Sequence, residues 1–151
     1  MSDGFLVDTN VWSEGIAERP APAVVAWMSD HATTVRMSVT TVMELAYGVA
    51  RLPLGRRRRA LEEKIAAILG PLGDVILDYN VAVARAHAAL RVEQAAHGVT
   101  ASSEDGQIAA IAKVHALTVA RRNVRHFAHA GVAVVDPWAY LNPQGAVRPG
   151  S

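Results

Sequence analysis

Leu6-Val7-Asp8-Thr9-Asn10 runs a short apolar strand straight into an acid flanked by small polar residues. In open parallel sheets, ligands bind in the crevice outside the carboxyl ends of the strands, so a carboxylate delivered at a strand end stands where chemistry is done. Outward from this stretch the chain alternates short strands with helices, the pattern that specifies a parallel sheet covered by helices on its faces. Strands are expected at Phe5 to Val7, Thr34 to Ser38, Val75 to Leu77, Leu117 to Ala120 and Val132 to Val135. A helix is expected from about Ala21, carrying Val24, Val25, Trp27 and Met28. The next covers Thr41 to Leu52, with Val42, Leu45, Ala46 and Val49 as its apolar stripe and Pro53 as its stop. Others run from Arg56 to Leu69, ended by Gly70-Pro71, and from Asn80 to His97, ended by Gly98. The last runs from Ser103 to His115, with Ile108, Ile111, Ala112 and His115 on one face.

Two further acids share the setting of Asp8. Glu44, in Thr41-Val42-Met43-Glu44, follows the strand-like Val35-Arg36-Met37-Ser38-Val39 and falls opposite the core stripe, with Thr40, Tyr47 and Arg51. An acid there is either solvated or lines a cleft. Asp105, in Ser102-Ser103-Glu104-Asp105, opens the last helix close to its buried face. Each acid has a plain structural reading: Asp8 or Asn10 can cap the segment that follows, and Thr41 with Glu44 or Ser102 with Asp105 fits the capping pattern of a helix start. Capping does not ask that acids on distant segments follow strands, whereas a metal site asks that they converge. A carboxylate near a buried face also needs a partner, which a bound cation would supply.

At 151 residues the chain is expected to form one domain, residues 1–141, with a flexible tail rich in proline and glycine from 142 to 151. That length buries about two-thirds of the surface of the unfolded chain. The chain has no cysteine, which excludes disulfides, thiolate catalysis and cysteine-ligated zinc and agrees with a reducing, cytoplasmic setting. Met1-Ser2-Asp3-Gly4 brings no basic segment, Phe5-Leu6-Val7 is too short for a secretory apolar core, and no run approaches the ~20 apolar residues of a membrane span. Neither a signal peptide nor a membrane partner is expected. Fifteen Lys and Arg stand against fourteen Asp and Glu, so a nucleic-acid partner would have to be met by a local patch and not by bulk charge.

Carboxylates gathered without histidine or thiolate form a hard oxygen site that suits Mg²⁺ or Mn²⁺ better than zinc. Such a site polarises a phosphodiester and lowers the pKa of an attacking water, so the implied class is metal-assisted phosphodiester hydrolysis. Asp8-Thr9-Asn10 lacks the paired Asp-x-Asp of phosphoryl-transfer α/β domains, and no G-x-x-x-x-G-K loop is present.

Leu6-Val7-Asp8-Thr9-Asn10-Val11, Ser38-Val39-Thr40-Thr41-Val42-Met43-Glu44-Leu45, Asp105-Gly106-Gln107-Ile108-Ala109-Ala110-Ile111-Ala112 and Arg122-Asn123-Val124-Arg125-His126-Phe127 together resemble the successive motifs of PIN-domain ribonucleases. The likeness is to the VapC and FitB toxins of bacterial type II toxin-antitoxin pairs, and covers residues 5 to 141, ending in Asp136-Pro137-Trp138. It implies a three-layer α/β/α fold around a central, mostly parallel sheet of about five strands. It further implies an endoribonuclease in which Asp8, Glu44 and Asp105 are catalytic and hold Mg²⁺ or Mn²⁺, directly or through water. Asn10, Ser38 and Thr41 match small polar positions that orient ligands or water. The family's fourth acidic position falls on Asn123, whose amide brings no charge. Arg121 stands where threonine is usual; it and Arg122 either contact the scissile phosphate or sit on the surface.

The implied partners are an RNA substrate, tRNA or rRNA among them, a small antitoxin covering the active face, and a second copy of the chain. DNA is reached only through the antitoxin. The other reading is a PIN scaffold of weak or no turnover that binds RNA or protein. Elsewhere, Arg56-Arg57-Arg58-Arg59 reads as a solvated face more readily than as an RNA contact. His126 and His129 lack a third ligand for zinc, and Trp27, Trp138 and Tyr140 read as packing residues.

Overall fold

The computed structural model describes residues 4–127 and 129–142, without the side chain of His126, so residues 143–151 of the expected tail lie outside the described residues. Five strands form one sheet: β1 (Phe5–Val7), β2 (Val35–Ser38), β3 (Ile76–Leu77), β4 (Thr118–Ala120) and β5 (Val134–Val135). Every pair is parallel and the order is β3-β2-β1-β4-β5. Six helices connect them: α1 (Thr9–Glu14), α2 (Pro22–Asp30), α3 (Val39–Ala50), α4 (Arg56–Leu72), α5 (Val81–Ala96) and α6 (Ser103–Val114).

Strand alternation sorts the core into two layers, because successive side chains leave a strand on opposite faces. Leu6 and Val119 pack against Val83 and Leu90 of α5 and Ile108 and Ile111 of α6. Val7, Met37 and Ala120 pack on the other face against Val11, Trp12, Val24, Trp27, Leu45, Val49 and Ile65 of α1 to α4. The three-layer α/β/α fold follows directly. No helix among the described residues is long and apolar enough to cross a membrane.

The strand order also fixes where a ligand can enter. From β1 the chain builds outward through β2 and β3, then returns to the other side of β1 as β4 and β5. Helix α1, leaving β1, packs on one face, and the 3-10 turn Val124–Phe127 that follows β4 carries Phe127 to the other, so this switch point opens a crevice at the carboxyl end of the sheet.

Several local expectations are corrected. Helix α4 continues through Gly70 and Pro71 to Leu72. Pro71 lies next to the end, where a missing N–H costs a single bond, and Gly73 at a φ of 37° makes the stop. Helix α3 starts at Val39, not Thr41, because the Ser38 side chain accepts from the Thr41 N–H and caps it. Thr41 and Thr40 are therefore buried, and Thr40 does not share the exposure of Tyr47. Ala46 and His115 are exposed and leave their expected stripes. The aromatic residues pack as expected: Trp27 stacks on His31, Trp138 joins the core of the α1–α4 layer, and the Tyr140 hydroxyl donates to Asp30.

Candidate active site

Asp8 follows β1 and Arg121 follows β4, and the strands pair with Val7 opposite Ala120. The two charged residues therefore emerge side by side at the switch point. The Asp8 N–H donates to the Ala120 carbonyl at 2.9 Å and the Arg121 N–H to the Val135 carbonyl at 3.0 Å, which locks both backbones to the sheet. Asp8 is 5 % exposed and caps α1 through Oδ1, which accepts from the Thr9 N–H at 2.8 Å. Its other oxygen, Oδ2, faces Arg121 Nε at 3.7 Å. Asp8 thus caps α1 with one oxygen and faces Arg121 with the other.

Arg121 is 6 % exposed, so the alternative that it sits on the surface does not hold. Its Nη1 donates to Asp105 Oδ1 at 3.1 Å, and its guanidinium lies over the Phe127 ring at 4.5 Å. Its Nε is buried without a hydrogen-bond partner among the described residues. Asp105 is held in the first turn of α6, where its N–H donates to Ser102 Oγ at 3.1 Å, so the capping expectation for Ser102 is met by the backbone while the carboxylate turns to Arg121. The cation that Asp105 needs is, in this state, a side chain of the same chain.

Glu44 is reached through a line of hydroxyls. Thr9 Oγ1 donates to Glu44 Oε1 at 3.1 Å and lies 3.0 Å from Thr41 Oγ1, which accepts from Ser38 Oγ at 3.4 Å. With Thr9 donating to the carboxylate, Thr41 donates to Thr9, and all three O–H groups point toward Glu44. Thr40 Oγ1 donates to Gln107 Oε1 at 2.8 Å and ties α3 to α6 beneath the same cleft. The cleft measures about 470 Å³ and lies between Met43, Glu44 and Tyr47 on one side and Ser102, Glu104 and Asp105 on the other. Glu44 lines a cleft and is not merely solvated.

The remaining expected residues lie further out. Asn10 is exposed on α1. Asn123 is exposed, with its amide oxygen accepting the Arg125 N–H at 3.3 Å. Arg122 is exposed and stands over the Trp138 ring, so the two neighbouring arginines take separate roles. Arg58 pairs with Glu62 on the surface, in keeping with a solvated arginine run. The His126 side chain lies outside the described residues, while His129 stacks on His97.

The PIN domain family model matches residues 5–132. The chain belongs to the PIN-domain family. It is 41% identical over 136 residues to Toxin FitB of Neisseria gonorrhoeae, covering 89% of this chain and 98% of that protein. The VapC ribonuclease Y4jK of Sinorhizobium fredii is 33% identical over the same 89% of this chain and 97% of its own length. Among solved structures, FitAcB from Neisseria gonorrhoeae superposes with a TM-score of 0.84 at 40% identity, covering 89% of this chain and 99% of that one.

Electrostatics describe a PIN domain short of positive charge at its cleft. Burial pushes the Asp8 carboxyl above its ordinary value; Arg121 and the Thr9 N–H pull the other way, and Asp105 adds to the rise. Glu44 is also raised, by burial first, with the Thr9 hydroxyl opposing and the charges of Asp8, Glu104 and Asp105 reinforcing. Oxygen donors of this kind, carrying more charge than one arginine offsets, suit a hard divalent cation. Among the described residues no three acidic or histidine side chains stand together as one ion's ligand set. Arg121 holds the place between Asp8 and Asp105 instead.

A pH dependence follows. Asp8 and Glu44 bind protons more tightly in the folded chain than at their unfolded values of 3.8 and 4.5. This stabilising contribution is complete below the unfolded values and is lost as pH rises through the raised folded ones. Without divalent metal, the melting temperature therefore rises relative to that of Asp8→Asn as pH falls from neutrality toward the unfolded value of 3.8. Parallel melting curves for the two proteins over that window would contradict the assignment to Asp8.

Two participants, Thr9 and Glu104, escape a linear reading, and Arg121 is read there only as a phosphate contact or a surface residue. Thr9 lies between the quoted Asp8 and Asn10, but its bond to Glu44 exists only because β1 and β2 are neighbours. Glu104 reaches the cleft beside Asp105. Arg121 does leave a signal in the sequence: it follows apolar β4 just as Asp8 follows apolar β1.

Proposed function

We propose that this PIN domain is the toxin of a type II toxin-antitoxin pair and acts as a metal-dependent endoribonuclease. The observation that carries the reading is that Asp8 and Asp105 face Arg121 at the switch point while Glu44 and Asp105 line one cleft, with the Asp8 and Glu44 carboxyls raised first by burial. Support also comes from the names of the relatives, one a toxin and one a ribonuclease.

Asp8, Glu44 and Asp105 would hold Mg²⁺ or Mn²⁺, directly or through water. When bound, the ion supplies Lewis acidity and lowers the pKa of an attacking water. The chain's own residues do the positioning. The hydroxyls of Ser38, Thr41 and Thr9 keep Glu44 oriented and favour its ionised form, and the Asp8 cap fixes that carboxylate to the sheet. Water attack at phosphorus with cleavage of the bond to O3′ leaves a 5′-phosphate and a 3′-hydroxyl. Asn123 adds no charge at the fourth position, so the donor set favours one strongly held ion over two. The partners in this reading are RNA, a small antitoxin over the cleft and a second copy of the chain, in the cytoplasm.

A second reading, a PIN scaffold that binds RNA or protein with little turnover, is favoured by one observation: Arg121 already neutralises part of the acid cluster. Purified protein incubated with total tRNA and rRNA separates the two. The nuclease cuts with Mg²⁺, stops with a chelator and leaves 5′-phosphate ends. RNA binding without cleavage, together with failure to bind Mn²⁺, would establish the scaffold instead.

A further inference from the structure

A second concavity lies across Ser102 from the acidic cleft. It encloses about 200 Å³ between α5 and the start of α6 and is lined by His87, Arg91, Gln94, Ser102, Ser103 and Gly106. Ser102 faces both spaces, so the two are neighbours on either side of one helix start.

Its lining is built for an anion. Arg91 is exposed and forms no ion pair among the described residues. Helix α6, twelve residues long, presents its N-terminus there, where unsatisfied N–H groups and the helix dipole favour negative charge. Gln94 is an independent pointer. It is 6 % exposed, it lines the cavity, and its side-chain amide makes no hydrogen bond among the described residues. The amide is solvent-accessible and offers a free donor to a ligand oxygen entering the cavity. His87 is set closely against the first turn of α6, where a Cβ on Gly106 would meet its Nε2 and push the ring aside. The other ring nitrogen, Nδ1, is engaged by the Tyr79 hydroxyl at 2.9 Å. The space falls below the ~300 Å³ at which clefts for larger ligands begin, so it admits a tetrahedral anion and not a nucleoside.

We propose that this cavity is a phosphate-binding subsite in which Arg91, Gln94 and the N-terminus of α6 hold a backbone phosphate of RNA lying across Ser102 from the acidic cleft. The source of the phosphate rests on the proposed nuclease reading; the anion site itself does not. Arginine and a helix N-terminus are the usual partners of a phosphodiester, and a contact of this kind positions the strand without reading its sequence.

The test uses the full chain carrying Arg91→Gln or Gln94→Met, the latter keeping the buried volume nearly constant. Each substitution is expected to raise KM for RNA about tenfold, with the effect on KM and not on kcat. Arg91→Gln should also flatten the dependence of log binding constant on log salt by about 0.7, the contribution of one neutralised phosphate on a single strand. KM values and salt slopes equal to wild type in both variants would overturn the subsite. If no RNA is bound or cut even by wild type, the nuclease reading has failed and titration with inorganic phosphate decides the cavity. Amide shifts at Gln94 and Ser103 that vanish in Arg91→Gln support an anion site, and their absence in wild type overturns it.

Discussion

Asp8→Asn protein is expected to fold as well as wild type and to lose RNA cleavage by more than about 100-fold, the loss found when even an outer partner of a metal ligand is removed. The two halves of that result have separate causes. Asparagine keeps an oxygen to accept the Thr9 N–H, so α1 stays capped, and it removes a charge whose burial is costly enough to raise the carboxyl's pKa. Activity falls because an acid locked by its own backbone to the sheet at the switch point no longer brings charge to an ion. Initial rates on tRNA at saturating Mg²⁺, alongside thermal melting, check both halves. Cleavage within a few-fold of wild type by well-folded Asp8→Asn would remove this residue from the proposed chemistry.

Arg121→Met is the second large effect, and it falls on stability. Arg121 is buried between Asp8 and Asp105, and an apolar side chain of similar length would take from both carboxylates the guanidinium they share. Breaking a buried pair from one side costs about 3–5 kcal/mol. Here the cost is reduced because Asp8, whose pKa is raised, can take a proton and Asp105 is partly solvated, so about 2–4 kcal/mol at neutral pH is expected. For a chain of this size that lowers the melting temperature by about 5–15 °C. The loss should shrink at lower pH, where Asp8 with its raised pKa takes up a proton, and with Mn²⁺, which replaces the missing charge and stabilises by mass action. Calorimetric titration should also show tighter Mn²⁺ binding by the variant than by wild type, since the ion no longer displaces a guanidinium. A variant as stable as wild type without metal, or one that Mn²⁺ does not rescue, would show that Arg121 is not the counter-charge of the cluster.

The five strands were legible because each is a short apolar run bounded by turn or helix signals, and β1 falls on Phe5–Val7 as read. Their boundaries at the other four strands shifted by one or two residues, the ordinary fraying of element ends. The stop expected at Gly70-Pro71 failed because proline is tolerated where only one further residue remains helical. The start expected at Thr41 failed because Ser38 is the better cap, placed where β2 ends. In both cases a rule about one residue yielded to its position within the element.

Asp8, Glu44 and Asp105 were singled out by linear signals alone, an acid after a strand or in a first helical turn, and the motif order carried the family. Linear signals cannot say which oxygen faces which neighbour. Period-two alternation determined that Leu6 and Val7 would serve opposite layers, and the α/β alternation determined a parallel sheet. Only the strand order β3-β2-β1-β4-β5 decided that Asp8 and Arg121, 113 positions apart in number, would meet, and that Thr9 would hand its hydroxyl to Glu44. The physical reason is one of range. Local propensity and burial act within a few residues, whereas the charge balance of a buried site depends on every group brought within a few ångströms by packing, whatever its place in the chain.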